Sequence, residues 1–219
     1  MPAIEAAALN RVSLFTELSP DELSGLAARL RERRFPKGQI IFAQGDPGNT
    51  LYLIANGRVK IVLGSNEGKE LVISVLGPGD FFGELALLDG EPRSADAVTM
   101  DACDLWLLAR DDFLQFLEER PRVAVRLLAV LSRHLRRTNA RAQDVAFLDV
   151  PARLARSLLE LANGVEPFKV TQSELAGMVG TTRESVNKWL GYFADHGLIR
   201  LQRGSVTIVK PEALRKRIY

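Results

Sequence analysis

Cysteine occurs once in the 219 residues, at Cys103, and histidine only twice, at His134 and His196. One cysteine excludes an internal disulfide framework, a cysteine-based structural zinc site and a four-cysteine iron–sulfur cluster. Two histidines so far apart exclude a poly-histidine metal site within one chain, and no metal is expected. The stretch 35–110 holds no histidine at all, which argues against a metal-dependent jelly-roll enzyme and against a haem sensor. No apolar run approaches the roughly 20 residues of a membrane span. The segment Met1–Arg11 lacks the basic start and apolar core of a secretory signal. A cytoplasmic location and no membrane partner are therefore expected. Glycine is missing from 91 to 163, whereas ten of the 17 glycines fall between Gly38 and Gly90.

Net charge is also scarce, at +2, but it is a near-cancellation. Residues 1–118 carry 11 basic and 18 acidic side chains, and residues 119–219 carry 18 basic and 9 acidic. A basic half beside an acidic one points to an anionic partner for the basic half, nucleic acid or a membrane surface first.

The glycine-dense stretch reads as a β domain, with turns between short apolar runs. Leu51, Leu53 and Ala55 alternate up to Asn56-Gly57, and Val59, Ile61 and Leu63 alternate after it. This predicts a hairpin over Thr50–Leu63 with a type I′ turn. Gln39–Ala43, Glu70–Leu76, Ala95–Thr99 and Cys103–Leu108 are further strands, which together suggest a sandwich or jelly roll of about eight strands. Ser19-Pro20-Asp21-Glu22 predicts a capped helix running to about Arg31.

From about Asp111 to Leu148 the period becomes helical, with Pro121 at a start or kink. Ala124, Leu128, Leu131, Leu135, Thr138, Ala142 and Val145 follow an alternating four–three spacing. That is the seam of a dimerising helix, so a homodimer is expected. Asp149 and Pro151 then predict a helix to about Ala162.

Two motifs carry chemistry. Thr171-Gln172-Ser173-Glu174 and Thr181-Thr182-Arg183-Glu184 each read as a capping box, with Gly180 between the two short helices they open. Leu198–Leu201 and Val206–Val209 follow as a β wing. This is a winged helix-turn-helix, whose second helix enters the major groove of double-stranded DNA. Arg183, Glu184 and Lys188 face base edges, while Thr171, Gln172, Thr182 and Arg203 are placed for phosphates. The second motif is the run Gly79–Ala95, in which Gly83-Glu84-Leu85 precedes Arg93-Ser94-Ala95. Its glycines allow close backbone approach, Arg93 offers a fork for a phosphate, Ser94 a hydroxyl, and Glu84 an acceptor for a ribose hydroxyl. From the residues alone, Arg93 pairing with Glu84 or Asp89 is the competing reading.

The run Gly79–Ala95 resembles the phosphate-binding cassette of cyclic-nucleotide-binding domains. With Phe147–Val150 and the Arg183-Glu184 helix, the chain resembles the catabolite activator (CRP/FNR) family of bacterial regulators over about residues 10–210. The resemblance implies an α+β fold: a jelly-roll cyclic-nucleotide-binding domain over 1–119, a dimerisation helix over 120–148 and a winged helix-turn-helix over 149–219. It implies no enzyme. It implies an allosteric, cAMP-responsive transcription regulator acting on palindromic TGTGA-like sites, with RNA polymerase as a protein partner. Gly83 and Glu84 match the ribose contacts, Arg93 and Ser94 the cyclic-phosphate contacts, and Leu85 and Ala95 belong to the same cassette. Thr138 matches an adenine contact, and Asn139 the position from which the other subunit reaches the same base. Three positions depart from the family pattern. The cassette is one residue shorter between Leu88 and Arg93, Asn139 stands in place of serine, and Lys188 stands in place of arginine. A regulator of the same fold that needs no effector, or answers another small molecule, is the alternative.

Overall fold

A computed structural model describes residues 4–64, 70–162 and 167–218. Two compact units emerge: Met1–Leu63 with Ile73–His134, and Gly64–Val72 with Leu135–Tyr219.

The first unit opens with α1 (Ala6–Leu9) and α2 (Pro20–Ala27). The predicted box caps α2: the Ser19 hydroxyl accepts from the Glu22 amide, and the Glu22 carboxylate accepts from the Ser19 amide at 2.9 Å. The helix stops short of Arg31, because the chain there becomes a strand. The strands are β1 (Arg31–Phe35), β2 (Ile40–Phe42), β3 (Thr50–Asn56), β4 (Val59–Gly64), β5 (Glu70–Leu76) and β6 (Phe81–Phe82). After α3 (Glu84–Asp89) come β7 (Asp96–Thr99) and β8 (Cys103–Ala109). Among the described residues they form two four-stranded sheets, ordered β1-β8-β3-β6 and β2-β7-β4-β5.

The Asn56-Gly57 turn is therefore not a hairpin. β3 pairs with β8 and β6, whereas β4 pairs with β7, so the turn is a corner between sheets. The register of β3 against β8 shifts between Ile54 and Asn56, and such a bulge bends the strand out of its sheet. Gly57 has φ 85°, and a Cβ there would lie 2.6 Å from both the Ala102 carbonyl oxygen and Cys103 Sγ. The glycine thus serves a close crossing rather than a two-strand turn.

Helix α4 (Arg110–Glu119) and helix α5 (Pro121–Phe147) follow. Pro121 starts α5 rather than kinking a longer helix, as fits a residue without an amide hydrogen at the first helical position. Val123, Leu127 and Val130 of α5 join the core formed by Leu14, Phe15, Leu53, Phe113 and Phe116. Of the predicted seam, Ala124 and Leu131 pack partly against this core, whereas Leu128, Leu135 and Val145 are bare, at 63, 61 and 58% exposure.

The second unit contains the C-terminal part of α5, then α6 (Val150–Ala162), β9 (Phe168–Lys169), α7 (Gln172–Val179) and α8 (Arg183–Asp195). The wing is β10 (Ile199–Gln202) and β11 (Ser205–Ile208), followed by α9 (Pro211–Arg215). Asp149 caps α6 by accepting from the Ala152 amide at 2.9 Å. Arg153 braces the α5–α6 junction, donating to the carbonyls of Leu148 at 2.7 Å and Val179 at 2.9 Å. Leu154, Leu158, Leu175, Val186, Leu190 and Phe193 fill the core of this unit.

Phe113 is fully buried in the first core. Replacing it with alanine should destabilise that unit by about 3–5 kcal/mol, read from denaturant unfolding curves. A loss below about 1 kcal/mol would contradict its place in the core.

Candidate effector and DNA sites

The cassette is built on the turn between β6 and α3. Gly83 takes φ 84°, and Glu84 begins α3. Glu84 and Arg93 are nearly buried, at 7 and 4% exposure, the two buried charged side chains among the described residues. They do not form an ion pair. Arg93 instead donates from Nη1 to the Gly83 carbonyl and from Nη2 to the Thr50 carbonyl, each at 2.7 Å. Pairing with Asp89 is likewise not the role of Arg93. Its Nε is buried without a hydrogen-bond partner. An orphaned donor on a buried cation is costly and calls for an acceptor. Burial lowers the pKa of this guanidinium, opposed by Tyr52, Glu84 and Asp46, yet an arginine stays cationic.

Burial pushes the Glu84 carboxyl above its usual range, opposed by its own backbone amide and by the Arg93 charge. The site thus holds an acid that pays for ionisation beside a cation lacking one acceptor. Leu85 is exposed, Ser94 is exposed and Ala95 is buried. Thr138 and Asn139 lie on the exposed surface of α5, within the second unit.

The helix-turn-helix is built as its caps require. The Thr171 hydroxyl accepts from the Glu174 amide at 3.1 Å, and the Glu174 carboxylate accepts from the Thr171 amide at 2.7 Å. The second box differs from expectation. The cap of α8 is Thr182, whose hydroxyl accepts from the Ser185 amide at 3.3 Å. Helix α8 begins one residue later than a Thr181–Glu184 box would set it, so Glu184 does not close a box. Its carboxyl is held below the usual range by its own backbone amide, the Thr182 side chain and Arg183.

Arg183, Glu184 and Lys188 are exposed on α8, Thr171 and Thr182 at the helix starts, and Arg203 in the wing turn. Gln172 is half-buried and donates to Asn187 Oδ1 at 2.9 Å. Asn187 is exposed one turn beyond Arg183 and Glu184 and was not among the expected contacts. Its signal was its helical spacing from Arg183, four residues back. Trp189 packs partly into the core and meets Tyr192 edge-on at 5.5 Å.

The architecture is thus that of a ligand-responsive transcription regulator: a cyclic-nucleotide-type β domain followed by a DNA-reading unit. Comparison with known proteins gives the same division. Residues 32–120 match the cyclic nucleotide-binding domain family, and residues 152–217 match the Crp-like helix-turn-helix domain family. The chain is 39% identical over 218 residues to a CRP-like cAMP-activated global transcriptional regulator of Mycobacterium tuberculosis, covering 95% of this chain and 97% of that one. It is 33% identical over 184 residues to the cAMP-activated global transcriptional regulator CRP of Escherichia coli, covering 80 and 88%. Among solved structures, a c-di-GMP-responsive global regulator, CLP, of Xanthomonas campestris superposes with TM-score 0.80 at 28% identity, covering 87 and 99%. The chain belongs to the CRP/FNR family of transcription regulators, and that family is not enzymatic. No helix among the described residues is long and apolar enough to cross a membrane.

The sign of the Glu84 effect is testable. A carboxyl with a raised folded pKa loses stability as pH climbs from about 4.3, the unfolded value, through the folded one. Glu84→Gln should therefore melt above the parent protein at neutral pH, and the gap should close below about pH 4. A pH series of thermal melts reads both; an unchanged or lowered neutral melt would contradict it.

Proposed function

We propose that the chain is a cytoplasmic, homodimeric, cAMP-responsive transcription regulator that binds palindromic TGTGA-like DNA. The observation that carries the effector reading is the buried Arg93 with its orphaned Nε. A cyclic phosphate supplies the missing acceptor and the negative charge in one group. Ser94 adds a hydroxyl donor, and Gly83, Leu85 and Ala95 shape the cassette. Glu84 accepts the ribose 2′-hydroxyl, which gives the buried carboxylate a donor. The dimer seam is supported by the bare apolar face of Leu128, Leu135 and Val145. Thr138 and Asn139 fall on that helix, and the resemblance assigns them to the base, one from each subunit.

The sensor domain is taken as 1–119, the dimer helix as 120–148 and the DNA domain as 149–219. In the dimer the two α8 helices enter successive major grooves about 34 Å apart. Arg183 and Lys188 donate to guanine, Glu184 accepts from cytosine, and Thr171, Gln172, Thr182 and Arg203 bind phosphates. Effector binding turns the α8 pair through the Phe147–Val150 junction, and RNA polymerase is the protein partner. A second effector reading has one observation behind it, the similar fold of the c-di-GMP-responsive regulator.

Calorimetry with cAMP, cGMP and c-di-GMP separates these readings. Binding of cAMP is expected, and Arg93→Leu should abolish it and the cAMP-dependent DNA binding while the protein stays folded. No cAMP binding at millimolar concentration, or full response in Arg93→Leu, would sink the effector assignment. Arg183→Ala should cost about 1–3 kcal/mol and relax preference at one base pair, measured by binding to a panel of single-substitution sites. A uniform loss across the panel would make Arg183 a phosphate contact instead.

A further inference from the structure

Arg93 is fixed from every side, and one of its restraints is aromatic. Its backbone is pinned first: its amide donates to the Asp46 carbonyl at 2.8 Å, and its carbonyl accepts from the Gly45 amide at 2.9 Å. Its two terminal nitrogens are held by Gly83 and Thr50. Neighbouring glycines then leave room for the group. A Cβ on Gly83 would lie 2.6 Å from Nη1, and one on Gly48 would lie 3.2 Å from Cζ. Finally, Cζ sits 4.2 Å from the centroid of the Phe42 ring and 5.7 Å from that of Tyr52.

Phe42 does not stand alone. Tyr52 and Phe82 stack at 5.0 Å with rings 9° apart, and Phe42 leans on both at 5.6 and 5.9 Å. Phe42 lies on β2, whereas Tyr52 on β3 and Phe82 on β6 belong to the other sheet, so the trio bridges the sandwich. A desolvated guanidinium over an aromatic face is attracted by the ring quadrupole, more strongly than at an exposed site. The ring also restricts how the group can tilt, which fixes the direction of the one nitrogen left without a partner.

We propose that Phe42, backed by Tyr52 and Phe82, is a positioning residue for the effector: it holds the Arg93 guanidinium in one orientation, so that binding has only to uncover the buried Nε and not to turn it. This rests on the cyclic-nucleotide reading above and adds a residue outside the cassette to it. Phe42 touches Arg93 and not the ligand. Losing its ring leaves the cation in place by its carbonyl bonds but lets it tilt, so affinity falls while the fold survives.

The test compares cAMP affinity by calorimetry in the full-length parent, Phe42→Leu and Phe42→Tyr, with the Arg93 Nε–H followed by NMR. Phe42→Leu should weaken binding by about tenfold, and Phe42→Tyr, which keeps the ring face, should stay within about twofold. In the ligand-free parent the Nε–H should be sharp and slow to exchange, and in Phe42→Leu broadened. If Phe42→Leu fails to fold, Phe42→Met, with no ring, takes its place. Parent-like affinity in the leucine or methionine variant overturns the proposal, as does a tyrosine variant as weak as leucine. A parent that binds no cyclic nucleotide overturns the effector reading and this inference together; a parent that binds, with an indifferent Phe42, overturns this inference alone.

Discussion

A guanidinium at 4% exposure shapes everything around it in the sensor unit. Moving a cation out of water costs several kcal/mol unless its hydrogens find partners. The chain meets this with carbonyls rather than with the nearby carboxylate, so the positive charge is held but not neutralised. That bears on the residues around it. Glycine stands at 83 because Nη1 occupies the space a Cβ would need, whereas at 48 a Cβ would meet Ala86 first, at 2.3 Å, and the guanidinium at 3.2 Å. The start of β3 at Thr50 and the turn at Gly83 meet because β3 pairs with β6, Tyr52 opposite Phe82, and each then supplies a carbonyl. The first 118 residues carry more acids than bases, so attraction for an anion there must be a short-range property of this cassette and not of the unit's net charge.

Helix α5 extends the consequence. Val123, Leu127 and Val130 face the core that supports the sandwich, while Leu128, Leu135 and Val145 face outward. A helix with two apolar stripes joins its own domain along one and needs a partner along the other. The polar break in the outer stripe is Thr138. In a seam such a residue lowers stability while setting register, so an additional reason for a hydroxyl there carries weight.

The sequence made the DNA unit more legible than the sensor. Caps, a glycine turn and a wing are local signals, and Thr171–Glu174 closes its box as read. The shift from Thr181 to Thr182 shows the limit of such signals, since two adjacent threonines offer alternative caps and the helix uses the second. Sandwich topology is non-local. Alternation around Asn56-Gly57 looked like a hairpin because both flanking strands bury one face, but the two strands bury them from different sheets. Strand β1 has no signal in the sequence because Arg-Glu-Arg-Arg carries no apolar period; it is an exposed edge strand, where charge discourages pairing with another chain. In the cassette, residue types were readable, but the orphaned Nε and the aromatic support were not. Phe42 lies 51 positions before Arg93, and only the folded sandwich brings them together.

The placement of Arg93 also constrains how signalling can work. A ligand shifts a two-state equilibrium only by binding one state better than the other. The Arg93 guanidinium is oriented by bonds that lie wholly within the first unit. Where both states keep those bonds, contacts to Arg93 strengthen binding to both alike and shift nothing. Discrimination must then come from groups whose position depends on state. In the proposed dimer the exposed hydroxyl and amide of Thr138 and Asn139 meet that condition, because a second chain on this part of α5 would change their surroundings. Downstream of them, Asp144 pairs with Arg156, and Arg153 clasps Leu148 and Val179, tying the end of α5 to α6 and α7. In the proposed regulator a junction braced in this way would pass on a rotation of α5 instead of absorbing it. On this view the cassette sets affinity and the seam sets the response.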